Sequence, residues 1–138
     1  MKAPVPVPQD QLGWLREIAA AYAAYCDARE AIPFGRLIGE PLAEGDLFHL
    51  APRVALKVRG LRASPRNLKK ATEAALASYV ANEERQPEVL ADPRLAFAFC
   101  YLAGHYGLGL VEAGDADQLM EFVEERRSDL RALTGGPR

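Results

Sequence analysis

From Leu95 to Val111 the chain runs for 17 residues without a charged side chain, and only His105 breaks its apolar character. A helix that is apolar on every side must be covered on every side. The rest of the chain therefore has to wrap this segment. The run is shorter than a membrane span and contains Gly104, Gly107 and Gly109, so it predicts a buried central helix in a chain that does not enter a membrane. A length of 138 residues suits one domain with one core. Alanine is the commonest residue while valine and isoleucine are scarce, which favours helices over strands.

Start and stop signals place the other elements. Asp10 is a good N-cap for a first helix to about Glu30, with Leu12, Leu15, Ile18, Tyr22, Tyr25, Cys26 and Arg29 at helical spacing and Trp14 beside them. Ser64-Pro65 and Asp92-Pro93 are each a cap followed by proline at the first helical position. They predict helices over 64–84, burying Leu68, Ala71, Ala75, Leu76, Tyr79 and Val80, and over 93–108. Asp115 with Gln118 resembles a capping box and opens a last helix, whose stripe Leu119, Phe122, Val123, Leu130 and Leu133 runs to Thr134.

Between residues 31 and 52 the breakers Pro33, Gly35, Gly39, Pro41, Gly45 and Pro52 are dense enough to forbid a long regular element. The many apolar residues among them predict a packed, irregular cover. Residues 53–62 fit two patterns. Val54, Leu56 and Val58 alternate with polar or small neighbours as in a strand, whereas Pro52 and Gly60 bracket a two-turn helix. The helix is favoured, since no partner strand is evident. The fold class is thus mostly α: a single-domain bundle of four to five helices, with an irregular segment or short strand at 31–62. An extended Pro-rich arm (1–9) precedes the helical domain (10–134), and a flexible tail (135–138) follows it.

Few residues carry a chemical motif. His49 and His105 lie 56 positions apart, and no His or Cys spacing supports a metal site or a cofactor. Cys26 and Cys100 fall on apolar stripes as buried thiols, which with the lack of a disulfide framework points to a reducing, cytoplasmic setting. Cys100 and His105 are five apart, so they do not stack on one helix face as a nucleophile and base. Asp117, Glu121, Glu124 and Glu125 precede Arg126, Arg127 and Arg131 on the last helix, an order that suits the helix dipole and a solvated face. No phosphate-binding glycine loop or nucleophile elbow occurs. The catalytic set is empty.

The net charge of −2 hides an imbalance. Residues 47–72 hold seven cations (Arg53, Lys57, Arg59, Arg62, Arg66, Lys69 and Lys70) and no acid, while the remainder of the chain carries −9. Arg66, Lys69 and Lys70 sit in the first two turns of a helix, where the dipole disfavours cations. Arginine forks suit phosphate oxygens. No aromatic lies between Arg53 and Lys70, which argues against base stacking by this segment.

These features predict a non-enzymatic helical binding or regulatory protein. It would contact nucleic-acid phosphates or another polyanion through the seven cations. The alternative is an assembly module, a homodimer or the partner of an acidic protein, using the apolar helix 95–111. Its interface would be the ridge Ala96, Cys100 and Gly104, spaced to admit a second helix closely.

Overall fold

A computed structural model describes residues 5–31 and 42–135, with the backbone alone for residues 31 and 42–46. The described chain is mostly helical, with seven helices and no strand. They are α1 (Gln11–Ala31), α2 (Leu42–Arg59), α3 (Pro65–Arg85), α4 (Pro87–Leu90), α5 (Pro93–Gly107), α6 (Ala113–Glu125) and α7 (Arg127–Leu133).

The apolar run becomes the central helix. Every residue of α5 from Arg94 to His105 is buried. Helix α3 lies along one side, where Ala71 and Ala75 are small enough for close approach, and the Cys100 thiol points at the Ala75 carbonyl oxygen 3.9 Å away. Helix α1 covers another side with aromatic rings. Tyr25 stands 5.1 Å and Tyr22 5.7 Å from Phe97, which in turn stacks 5.5 Å from Tyr101. Such ring pairs contribute beyond their buried area. Helix α2 packs on a further side, and helices α6 and α7 close the remainder with Leu119, Val123 and Leu130.

The caps form where the sequence places them. Asp10 Oδ1 accepts from Gly13 N–H at 2.6 Å, Ser64 Oγ from Asn67 N–H at 3.2 Å, and Asp92 Oδ1 from Arg94 N–H at 3.0 Å. Gly60, at φ +69°, ends α2. Leu61 N–H reaches the Leu56 carbonyl at 2.9 Å and Gly60 N–H the Lys57 carbonyl at 3.1 Å, the paired bonds of a Schellman turn.

Four expectations need correction. The breakers do not make residues 42–59 irregular, and residues 53–59 are not a strand. One helix runs straight through Pro52. A mid-helix proline costs about 3 kcal/mol in isolation, but here it is buried in a helix that also buries Leu47, Leu50, Ala51, Val54, Ala55 and Leu56. Tertiary burial outweighs the local penalty. The expectation of an irregular segment over 32–41 lies outside the described residues. Secondly, Leu12, Leu76, Val80 and Leu133 sit on predicted apolar stripes yet are 45–53% exposed, while Trp14 on α1, Ala71 and Ala75 on α3, and Leu130 and Thr134 at the end of the chain take the inner positions. Thirdly, α6 starts at Ala113 rather than at Asp115, with Glu112 as a cap that makes no side-chain bond. Fourthly, the last helix breaks at Arg126, which turns Leu130 into the core and brings Thr134 to Arg94. The count of seven helices among the described residues thus exceeds the four to five expected, partly because α4 and this break add short pieces.

Candidate polyanion interface

Along the second half of α2 burial leaves a narrow strip. Between Leu47 and Gly60 only His49, Arg53, Lys57 and Gly60 are exposed, and the first three recur every fourth residue. The turn after Gly60 presents Arg62, whose carbonyl accepts from Asn67 Nδ2 at 2.9 Å and is thereby tied to α3. On α3, Arg66, Lys69 and Lys70 are exposed while Ala71 and Ala75 face inward. Arg53 shares a shallow groove of about 280 Å³ with Phe48, His49, Leu68 and Thr72, so the α2 strip borders the first turns of α3. Six cations therefore surround the tip of the α2–α3 hairpin.

None of the six forms an ion pair among the described residues. The acidic face of α6 does not reach them. Helix α6 packs on α5, α1 and α7, and makes no substantial contact with α2 or α3. Among the described residues the acid nearest in sequence is Glu73, exposed one turn further along α3 and in no ion pair with Lys69 or Lys70.

The seventh cation is different. Arg59 has no exposed surface. Its Nη2 donates to Glu17 Oε1, its Nη1 to the Pro6 carbonyl at 2.8 Å, and its Cζ lies 5.9 Å from the centre of the Trp14 ring. Tyr101 Oη donates to the other carboxylate oxygen of Glu17 at 3.0 Å. Val5 N–H in turn donates to the Arg59 carbonyl at 2.6 Å, which docks the described part of the proline-rich arm, from residue 5 on, against the end of α2. Arg59 is accordingly removed from the anion-contacting set: a buried, paired guanidinium cannot meet a ligand at the surface. Burial and the neighbouring Glu17 charge both push the Tyr101 phenol far above its ordinary range.

His105 borders this network. Its ring lies 5.2 Å from that of Trp14 and 4.7 Å from that of Tyr101. A carbonyl can only accept, so the Nδ1 atom, 2.8 Å from the Tyr101 oxygen, carries the proton. Nε2 is buried with no partner among the described residues. Burial is the main reason that the imidazole pKa falls to about 4, with the Arg59 charge adding to it. His49 is exposed at the far end of the strip, so the two histidines do not converge.

Sequence reasoning missed Glu17, Trp14 and Tyr101 as partners of Arg59. One signal was available: Glu17 falls between Trp14 and Ile18 on the apolar face of α1, where an acid needs a buried partner. It also missed Arg94, which is 5% exposed, donates from Nε to Thr134 Oγ1 at 2.6 Å and holds the end of α7 to the start of α5.

The proposed interface ridge is occupied within the chain. Ala96, Cys100 and Gly104 are buried, and Gly104 stands in ordinary contact distance of Ala71 on α3. Burial pushes the Cys100 thiol up to about 12, which leaves it protonated and unreactive near neutral pH. Both cysteines are free. Among the described residues no cluster of three or more His, Cys, Asp or Glu side chains could hold a metal, and no helix is long and apolar enough to cross a membrane. Comparison with family models, curated proteins and solved structures finds no match. The functional reading rests on the geometry of the hairpin tip.

Proposed function

We propose that this protein is a helical binding module that grips the phosphates of a nucleic acid through Arg53, Lys57, Arg62, Arg66, Lys69 and Lys70. One observation carries the reading: six exposed cations lie around one hairpin tip with no acidic partner among the described residues. Their placement opposes folding. Like charges repel, and Arg66, Lys69 and Lys70 occupy the N-terminal turns of α3, where the macrodipole is already positive. A polyanion relieves both terms together, and guanidinium forks match phosphate oxygens in pairs. Against an assembly role for α5 stands the burial of its ridge under α3.

Binding of labelled nucleic acid, followed by fluorescence anisotropy at low salt, tests the reading. Arg62→Glu and Arg66→Glu each weaken binding of all sequences alike, because phosphate contacts carry no base information. Substituting exposed Arg127, far along the chain on α7, leaves binding unchanged. Equal effects from Arg66→Glu and Arg127→Glu, or no binding at low salt, would remove the proposal.

A further inference from the structure

We propose that Tyr106 is a stacking platform for an unpaired base, so that the nucleic acid recognised by the hairpin tip is single-stranded. The inference rests on the polyanion reading above and narrows its ligand. Segment 53–70 contains no aromatic residue. The fold supplies one from the central helix. Helices α3 and α5 are in tight contact where a Cβ on Gly107 would lie 2.5 Å from the Lys70 carbonyl oxygen and 2.7 Å from the Ala74 Cβ. Only glycine allows that contact. It sets the last turn of α5 directly against the residue that bears one of the six cations.

Tyr106 is the neighbour of Gly107 and is 50% exposed. Among the described residues it is the one exposed aromatic, since the other rings are buried or half-buried in the core. Its hydroxyl makes no hydrogen bond among the described residues. Beyond it, Gly109 is exposed at φ +76° with open space where a side chain would stand. A strand whose phosphates meet Lys70 would pass the end of α5 and lay a base on the Tyr106 ring. Every base has a π-face, so such a contact is tolerant of sequence but requires an unpaired base.

The test compares three probes by anisotropy or competition: a short labelled single strand, a duplex of the same length, and inorganic polyphosphate, which carries charge without bases. The unmodified protein prefers the single strand to the duplex. Tyr106→Leu weakens single-strand binding about fivefold or more and leaves duplex and polyphosphate binding unchanged, while Tyr106→Phe keeps single-strand affinity. If Tyr106→Leu leaves the single strand bound as before while polyphosphate still binds, stacking is wrong and the basic surface stands. If Tyr106→Leu weakens all three probes alike, stacking is again wrong. If the unmodified protein binds none of the three, both proposals fall together.

Discussion

Arg59 and Glu17, 42 residues apart in sequence, form an ion pair beneath the ring of Trp14, with the arginine side chain wholly removed from solvent. The pair joins α2 to α1, and the Tyr101 hydroxyl on the second carboxylate oxygen adds α5. Three helices thus meet at one carboxylate. Removing a single partner from such a buried pair leaves an uncompensated charge, which costs about 3–5 kcal/mol. We expect Arg59→Ala to lower unfolding stability by that order in urea denaturation. We expect Glu17→Gln combined with Arg59→Met to recover much of the loss, because both charges go together. A loss below about 1 kcal/mol for Arg59→Ala would contradict the assignment of Arg59 to the core.

The arm is held by the same arginine. Deleting residues 1–8 removes the Pro6 carbonyl from Arg59 Nη1 and the Val5 amide from the Arg59 carbonyl. A hydrogen bond to a charged group contributes about 1.5–3 kcal/mol. The truncated chain should unfold at correspondingly lower urea and should lose protection of the Arg59 region in hydrogen exchange. Unchanged stability would mean that the arm does not dock in solution.

Two glycines of α5 should respond in opposite directions. A Cβ on Gly104 meets Ala71 at 3.8 Å, an ordinary contact, whereas on Gly107 it collides with backbone. Gly104→Ala should be neutral or stabilise by up to about 1 kcal/mol through helix propensity. Gly107→Ala should destabilise by about 1–3 kcal/mol through overpacking. Thermal or urea denaturation of the two variants decides the matter. The ridge expected from small-residue spacing named Gly104, and the tight crossing lies one turn later at Gly107.

That displacement shows what was legible in the sequence. The helix starts at Asp10, Ser64 and Asp92 were readable because capping is a local interaction within four residues. The central position of α5 was readable because a run without charge admits few environments. The continuity of α2 through Pro52 was not, since it depends on burial against α1, α3 and α5. Arg59 shows the same limit. Spacing alone made it one of seven similar cations, and only the packing of α1 beside α2 gives it Glu17 as a partner. The other six were identified together as a charged segment, and the turn at Gly60 keeps them at one end of a hairpin.

The depressed pKa of His105 makes stability depend on pH. Its folded value of about 4 lies below the unfolded value of about 6.5. Between these values the unfolded chain binds the extra proton, so stability is greatest above pH 6.5 and falls as the pH drops toward 4. The full effect is about 3 kcal/mol. Urea denaturation at pH 7 and pH 5 should show this fall in the unmodified protein and a smaller one in His105→Gln. Equal falls in both would show that the imidazole does not cause it.

The central claim concerns six surface cations, with Arg59 excluded. Its most direct test is the salt dependence of nucleic-acid binding. Counterion release gives a slope of log Kobs against log salt of about −0.9 per phosphate on a duplex and −0.7 on a single strand, so six contacts set a limit near −5 or −4 respectively. The account predicts a clearly negative slope within that limit, made shallower by about one contact's worth in Arg66→Ala or Lys70→Ala. A slope near zero, or one that Arg66→Ala and Lys70→Ala both leave untouched, would contradict it.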